Sequence, residues 1–264
     1  MTRFTSTPKH KRIIIRALAV AFWLAVWELA SILVGQEILL VSPVRAVSAL
    51  IQLMGSRAFY ESTFNSFTRI LIGFSAAAIL GVALAALAFI LSPVRALLDP
   101  VMYAIKATPV ASFVILALVW IRSAHLSIFT GFLMVLPIMY TNILNGLLSA
   151  DGKLIEMARV FRLSPAKQAR AVYLPAAYPF FLSACELSLG MCWKAGIAAE
   201  VIGLPKKSIG EALYRSKIFL NTPDMFAWTL AIILLSVVFE KLALLAVRRT
   251  RRGLKGGGSD GYTA

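Results

Sequence analysis

Three ionisable residues, Glu186, Lys194 and Glu200, lie in one apolar stretch of the chain, near residues 178–202. A charge near the centre of a membrane-spanning helix costs about 2.5–3.5 kcal/mol on insertion scales, so such side chains face protein or water. Lys194 offers a cation to an anionic group, whereas Glu186 is about 80° away on an ideal helix and about 12 Å along its axis. We therefore predict that these residues line or brace a polar pathway. Salt bridges to other helices or to a second chain are the alternative, and the candidate partners are Glu28, Lys106, Glu240 and Lys241.

Other reactive residue types form no recognisable catalytic pattern. Cys185 and Cys192 are seven residues apart with no histidine near them, so we interpret them as packing residues rather than a metal or disulfide site. His10 and His125 are isolated, and the sequence contains no G-x-x-x-x-G-K-[ST] phosphate loop. We expect no catalysis, cofactor or metal on this chain, and energy for any work must come from a partner.

A polar and basic loop runs from Asp151 to Pro175, DGKLIEMARVFRLSPAKQARAVYLP. Asp151 is placed to cap a short amphipathic helix. The apolar residues of that helix recur at i, i+3, i+4 and i+7, and they are Leu154, Met157, Ala158 and Phe161. Ser164-Pro165 begins a second helix, which Leu174-Pro175 is expected to stop. The loop is therefore predicted to form a helix, a bend and a second helix.

The composition places the elements on both sides of this loop in a membrane. With 59% hydrophobic and 15% charged residues among 264, and a mean hydropathy of +0.81, the chain cannot be a soluble globular domain. Six apolar windows are long enough to cross about 30 Å of hydrocarbon. They lie near residues 13–34, 69–91, 98–120, 126–148, 178–202 and 226–247. We predict an all-α integral membrane fold with six transmembrane helices.

The net charge of +15 reflects topology rather than nucleic-acid binding, because no basic patch is interleaved with aromatic residues. If the N-terminus is inside, the inner segments hold sixteen Lys and Arg residues and the outer segments hold seven. Both termini are therefore expected in the cytoplasm. We divide the chain into a cytoplasmic N-terminal segment (1–12), a transmembrane domain (13–250) and a disordered cytoplasmic tail (251–264).

Small residues and prolines predict how the spans pack. Gly73, Ala77, Gly81 and Ala85 recur every four residues, which lets another helix approach closely, either within the chain or across a dimer seam. Pro109 and Pro137 each remove a backbone donor, so we expect each to kink or interrupt its helix.

The outer segment after the fifth span contains a capping box, Ser208 to Glu211. It predicts a short helix that reaches about Phe219 and is broken by Asn221-Thr222-Pro223. Four basic residues give this segment a positive charge: Lys206, Lys207, Arg215 and Lys217. We interpret it either as an interfacial helix that meets a binding protein or as a solvated connector.

The spacing of the loop resembles the EAA loop of bacterial ABC importer permeases, with the pattern E-A-A, three residues, G, nine residues and I-x-L-P. Glu156-Met157-Ala158 and Val172-x-Leu174-Pro175 match its register, whereas Met157 replaces one of the two alanines and Arg162 replaces the glycine. Glycine tolerates the bend between the two helices better than arginine does. We therefore expect the bend to move to Ser164, which a following proline excludes from the helical region.

The resemblance covers roughly residues 15–250 and points to the nitrate, sulfonate and taurine branch of these permeases. It is carried further by RALLDP at 95–100, TPVA at 108–111 and AEVIG at 199–203. It implies the type I ABC importer permease fold, with the loop as the coupling helix that sits in a cleft of an ATPase subunit. The implied coupling residues are Leu154, Glu156, Ala158, Arg159, Phe161, Arg162, Leu174 and Pro175. The residues expected to lie along the translocation pathway are Pro109, Glu186, Lys194 and Glu200.

The partners that the resemblance implies are an ABC ATPase dimer that uses ATP and Mg, an extracytoplasmic substrate-binding protein and a second permease copy in the bacterial cell membrane. The implied solute is a small anion such as a sulfonate, taurine, nitrate or bicarbonate, imported by alternating access. A thiamine-pyrimidine precursor is the alternative solute. A secondary transporter driven by an ion gradient is a further alternative, but it would have no use for an ATPase-docking loop and would favour an internal repeat.

Overall fold

The computed structural model describes residues 9–256, with side chains described for residues 14, 15 and 17–245. Every regular element in this part of the chain is helical, which confirms the predicted all-α class. A five-residue π-helical turn, Ala169–Tyr173, joins the helices Pro165–Gln168 and Leu174–Gly203. The helices are α1 (Lys9–Val34), α2 (Pro43–Met54), α3 (Arg57–Ile90), α4 (Ser92–Ala107), α5 (Val110–Ala117), α6 (Ser123–Leu148), α7 (Gly152–Val160), α8 (Pro165–Gln168), α9 (Leu174–Gly203), α10 (Ile209–Ile218) and α11 (Thr222–Gly256).

All six predicted spans have a helical counterpart. Five helices are long and apolar enough to cross a membrane, and the bent pair α4 and α5 supplies a sixth span. Helix α3 starts at Arg57, well before the predicted window, and its 34 residues extend about 51 Å at 1.5 Å per residue. It is therefore longer than the hydrocarbon thickness of about 30 Å.

The third span is broken where the sequence predicted an interruption. The axes of α4 and α5 differ by 99°, and the break falls at Thr108 and Pro109, both outside the helices. Thr108 is extended, with φ −82° and ψ 130°, because a residue that precedes proline is disfavoured in the helical region. Pro137, in contrast, lies inside α6, which continues through it without a break.

The chain divides into two compact units. The first contains the residues up to Phe59 together with Leu213–Ala231. Aromatic contacts hold it together: Trp27 stacks on Phe226 at 5.7 Å and Phe59 on Trp228 at 5.3 Å between ring centroids. None of the residues in the apolar window Ala17–Val34 of α1 is buried, so this helix presents its apolar surface outward.

The second unit contains Tyr60–Ala212 and the residues from Ile232 onward. Its core is formed where α3, α6 and α9 approach each other at glycines. A Cβ added to Gly81 would lie 2.6 Å from Met139 Cβ on α6, and one added to Gly196 would lie 2.6 Å from Ile70 Cγ1 on α3. Ala77 and Ala85 of the predicted small-residue stripe are fully buried. The stripe therefore packs against other helices of the same chain, which was one of the two predicted roles.

The connector between α9 and α11 follows the predicted capping pattern. Glu211 donates its backbone N–H to Ser208 Oγ at 3.0 Å, whereas the Glu211 side chain accepts from the backbone N–H of Lys207 at 2.6 Å. The helix ends at Ile218, close to the predicted end, with Leu220 in the left-handed region at φ 53°.

The chain ends only partly match the predicted boundaries. Helix α11 continues to Gly256. Residues 251–256 were predicted to belong to the tail, but they are part of this helix. Helix α1 begins at Lys9, inside the segment expected to precede the first span. The remaining parts of the predicted N-terminal segment and tail, 1–8 and 257–264, lie outside the described residues.

Candidate functional site

The loop between α6 and α9 begins with the predicted capped helix. Asp151 is extended, and its Oδ1 accepts a hydrogen bond from the backbone N–H of Lys153 at 2.9 Å. Such a cap satisfies one of the backbone donors left free in the first turn of a helix. Helix α7 then runs from Gly152 to Val160, which confirms the first helix of the predicted pair.

The bend after α7 lies at Arg162 and not at Ser164, so the prediction of a shifted bend was wrong. Arg162 has φ 48°, and two backbone hydrogen bonds close the turn: Arg162 N–H to Arg159 O and Leu163 N–H to Ala158 O, both at 2.9 Å. These two bonds define a Schellman motif, in which the residue after the helix is left-handed. The paired bonds hold the arginine where the family pattern has glycine.

The helix end that was predicted at Leu174-Pro175 is also absent. Instead of ending at Leu174-Pro175, the chain passes from α8 through the π-helical turn Ala169–Tyr173 directly into α9. Leu174 donates its N–H to Ala169 O, five residues back. A proline inside a helix lacks a donor and crowds the carbonyl of the preceding turn. A wider π-helical turn immediately before Pro175 removes that conflict, so the helix need not break.

Four large apolar side chains of α7 and of its C-cap residue are exposed, and we call them the α7 patch: Leu154, Met157, Val160 and Phe161. At 100° per residue they lie within about 120° of the helix surface. Val160 and Phe161 are the most open, at 79% and 72% exposure. Ala158, which was predicted to share this face, is instead 2% exposed, because it lies on the side of α7 that faces the rest of the chain.

The charged residues of the loop surround the α7 patch. Glu156, Arg159 and Arg162 are all exposed, and none of them belongs to a described ion pair among the residues with described side chains. Leu174 and Pro175 are also exposed at the start of α9. The loop is thus an apolar patch with a mainly basic rim, carried on a helix that is capped at both ends.

A second polar site is centred on Glu200, which is fully buried near the end of α9. Its Oε2 accepts hydrogen bonds from Ser66 Oγ at 2.6 Å and from the backbone N–H of Gly210 at 3.3 Å. Its Oε1 lies 3.6 Å from Nη1 of Arg69, whose side chain is 19% exposed. Ser66 Oγ also accepts from the backbone N–H of Ile209 at 3.0 Å. One carboxylate therefore joins α3, the end of α9 and the start of α10.

Gly210 is essential to this arrangement because α10 lies directly against the backbone of α9. A Cβ at this position would lie 2.5 Å from the carbonyl carbon of Glu200 and from the nitrogen of Val201. No side chain fits in such a gap without moving one of the helices. The close approach brings the Gly210 N–H within reach of the carboxylate.

The partner of Glu200 is not one of the four predicted candidates, and the cation is Arg69 on α3. Arg69 lies in a long apolar helix, which is the same signal that singled out Glu200. It stands at the first residue of the predicted window, so its place inside the span was not evident from the sequence. Ser66 and Gly210 gave no such signal, because the sequence does not reveal which segments meet.

The three charges predicted on the fifth span do not form one cluster. Glu186 and Lys194 are exposed, whereas Glu200 is buried. The exposed residues follow one face of α9, which we call the α9 face: Ser183, Glu186, Leu187, Met191, Lys194 and Ala198. Gly190 adds open space there, since nothing lies within 4 Å of a Cβ built on it. Pro109, the remaining pathway candidate, is exposed at the break between α4 and α5.

The two cysteines lie in the core and away from the α9 face. Both are fully buried. Cys192 Sγ lies 3.6 Å from Ile70 O, and a Cβ on Gly131 would lie 2.8 Å from the same sulfur. The burial of both cysteines, and the position of Cys192 against Gly131 of α6, support the predicted packing role.

Comparison with known proteins adds independent findings. A family model described as binding-protein-dependent transport system inner membrane component matches residues 73–252. SsuC of Bacillus subtilis (strain 168), whose name assigns it as a transport permease for aliphatic sulfonates, is 29% identical over 246 residues, which cover 92% of this chain and 86% of SsuC. The nitrate import permease protein NrtB of Synechocystis sp. (strain PCC 6803) is 28% identical over 209 residues, which cover 75% and 74% of the two chains.

A solved structure supports the fold. The crystal structure of an amino acid ABC transporter with histidines has a TM-score of 0.61 to this chain at 16% sequence identity. The match covers 76% of this chain and 97% of the solved chain. At this level of identity the likeness concerns the arrangement of helices alone.

Proposed function

Because this chain belongs to the binding-protein-dependent transport system inner membrane components and is a membrane permease of ABC importers, we propose that its Asp151–Pro175 loop docks into a separate ATPase subunit. The observation that carries this proposal is the α7 patch. Val160 and Phe161 are more than 70% exposed, and Leu154 and Met157 continue the same apolar surface. Exposed contiguous apolar surface with a polar rim is typical of protein interaction sites.

The chemistry of the rim and of the whole sequence supports an ATPase as the occupant. The rim is mainly basic, so it suits a cleft with acidic edges. The sequence has no phosphate loop, so ATP and Mg belong to the partner. An ATPase dimer that closes on ATP binding would move two such loops and switch the pathway between its two openings by alternating access.

The connection between the loop and the pathway is suited to transmit that movement. Helix α7 is closed by the Schellman motif at Arg162, and from Pro165 to Gly203 the chain is continuously helical. Displacement of α7 is therefore passed to α9 without a flexible linker. Helix α9 carries both the α9 face and, at its far end, Glu200.

We further propose that a second copy of this chain covers the α9 face. Lys194 and Glu186 lie exposed in a helix that is long and apolar enough to span a membrane. Contact with lipid would be costly for both charges, so they require protein or water opposite them. A homodimer with a water-filled pathway between its α9 faces supplies both, and Lys194 then offers a positive charge to an anionic solute.

The charge distribution orients the chain with both termini in the cytoplasm. A substrate-binding protein would then approach the side that carries α10. Lys207, one of the basic residues predicted to meet it, is paired with Glu61 at 3.0 Å. The side chain of Lys206 is exposed and belongs to no ion pair among the residues with described side chains. We therefore expect the binding protein to contact Lys206 more than Lys207.

The proposed solute is a small oxyanion. The relatives named above are permeases for sulfonates and for nitrate, and both compounds present negatively charged oxygens in a small volume. The α9 face agrees with this class because Lys194 is exposed on it. A thiamine-pyrimidine precursor, which is not an oxyanion, is the alternative and would make little use of that cation.

Co-purification tests the docking proposal. Tagged chain is isolated from its host in mild detergent, and the proteins that accompany it are identified. We expect an ATPase subunit with the wild type, and its loss with Phe161→Asp or Glu156→Lys. Phe219→Asp is the matched control, because Phe219 is exposed to a similar extent, 74% against 72%, but lies outside the loop.

The outcome separates the candidate functions. If the wild type recovers no ATPase, or if Phe161→Asp recovers as much as Phe219→Asp does, the loop is only a basic connector. A transporter driven by an ion gradient would then replace the importer proposal.

A further inference from the structure

A small polar cavity lies between α4 and α6, apart from both the α7 patch and the Glu200 site. Its volume is about 80 Å³, room for a few water molecules or one small ion. The polar residues of its wall are Arg95, Asp99, Lys106, Tyr140, Thr141 and Asn145. The buried apolar residues Met102 and Leu144 and the exposed Tyr103 complete the wall.

The single acidic group of the cavity is already neutralised. Asp99 Oδ2 lies 3.5 Å from Arg95 Nε, and Asp99 Oδ1 accepts a hydrogen bond from the Tyr140 hydroxyl at 2.8 Å. Tyr140 is 2% exposed, so this bond is sheltered. Both carboxylate oxygens are thus engaged, and Arg95 has its counter-charge within the cavity wall.

The ammonium group of Lys106 has no such counter-charge. Its Nζ donates to Thr141 Oγ1 at 2.8 Å, and no carboxylate pairs with it among the residues whose side chains are described. The Thr141 hydroxyl donates its own hydrogen bond to Pro137 O at 2.6 Å, so its oxygen can accept one from Lys106. An ammonium has three donors, and this one keeps donors for a ligand in a cavity of net positive charge.

The position of Lys106 in the last turn of α4 has a simpler explanation, since a cation there favours the helix dipole. Two observations indicate that Lys106 does more than interact with the helix dipole. Thr108 already caps the end of α4, because both its N–H and its Oγ1 donate to Ala104 O. Lys106 meanwhile reaches across to α6 and bonds Thr141. An uncompensated charge in a membrane span marks a functional site by default.

We propose that this cavity binds a small oxyanion, held by the ammonium of Lys106 with Asn145 and Arg95 beside it. This inference rests on the proposed function, because it gives the anionic solute a place close to the loop. Thr141 is seven residues, or about 10 Å, from the end of α6 at Leu148. The loop begins three residues later. The site therefore lies at the end of the pathway where the ATPase would act.

The same oxyanion chemistry could come from a free solute or from a lipid phosphate. The volume of about 80 Å³ suits an ion such as nitrate or methanesulfonate, and we commit to the free solute. Lipid binding is therefore an outcome that would overturn the proposal.

Isothermal titration calorimetry on purified full-length chain in lipid-free detergent tests the site, with nitrate, bicarbonate and methanesulfonate as probes. We expect saturable binding of at least one probe to the wild type. Lys106→Gln should weaken it by about tenfold or more, because a hydrogen bond to a charged group is lost, and Lys106→Arg should retain most of it. Lys241→Gln is the matched control, since Lys241 is exposed on α11 and does not line the cavity.

Three results would overturn the inference: no saturable binding of any probe, equal binding by Lys106→Gln and the wild type, or binding of phosphatidylglycerol vesicles alone. Recovery of the ATPase with Lys106→Gln would show that this variant is folded and assembled. Because that recovery is scored separately from the titration, failure of the anion site and failure of the importer proposal are distinguishable.

Discussion

Arg162 holds the backbone conformation that glycine adopts most readily. Its φ of 48° completes the Schellman motif that closes α7, although a left-handed residue with a Cβ costs roughly 1–2 kcal/mol. The sequence showed that glycine is absent at this position but not which residue would adopt the conformation of the bend. We expected the chain to avoid the strain at Ser164, whereas the two backbone hydrogen bonds of the motif keep the bend at its usual place.

Replacement of this residue should therefore stabilise the chain. Arg162→Gly relieves the left-handed strain and adds some unfolded-state entropy, for a net gain of about 1 kcal/mol in the free energy of unfolding. Arg159→Gly is the control, because Arg159 lies inside α7 and glycine there should cost about 1 kcal/mol. Denaturant titration in detergent measures both. A loss of stability in Arg162→Gly would mean that the arginine side chain makes a stabilising contact.

Glu200 is the residue on which the buried network depends. Glu200→Ala removes the acceptor of Ser66 and Gly210 and leaves Arg69 without its carboxylate, so unfolding should become easier by about 3–5 kcal/mol. Glu37→Ala breaks the exposed pair with Arg45 and should cost no more than about 1 kcal/mol. Chemical denaturation compares the two variants. Similar small losses in both would show that Glu200 is not structurally important and would favour a direct role in the pathway.

At the scale of helices, periodicity and length identified every span, because about 20 apolar residues have no other stable environment. The break at Pro109 and the cap at Asp151 were also readable, since both depend on neighbouring residues alone. The continuation through Pro175 was not. It depends on a π-helical turn, and nothing in the local sequence distinguishes that turn from an ordinary helix end.

The contact between α9 and α10 gives a prediction at this scale. Gly210→Ala should destabilise the chain and separate α10 from Glu200, because the added Cβ meets backbone atoms that cannot rotate away. Gly190→Ala should be neutral or stabilising, since its site is open and alanine favours a helix by about 1 kcal/mol. Thermal unfolding of both variants checks the difference. Equal melting temperatures would contradict the close approach of the two helices.

For the whole molecule, the sequence predicted a six-span permease and the loop that distinguishes it. It did not predict which charged residues form ion pairs. Glu200 and Arg69 are 131 positions apart, and their pairing depends on how α3 and α9 pack. The α7 patch was predicted in outline, with Ala158 in place of Val160, because an amphipathic pattern fixes a face but not which edge of it turns inward.

The proposed coupling of the permease to a separate ATPase by this loop can be tested in the native host. A photo-crosslinking amino acid is placed at position 161, one of the two most exposed residues of the α7 patch. We expect one principal cross-linked protein, identified by mass spectrometry as a subunit that carries a G-x-x-x-x-G-K-[ST] phosphate loop. Cross-links only to lipid, to a second copy of this chain or to proteins without that motif would contradict it.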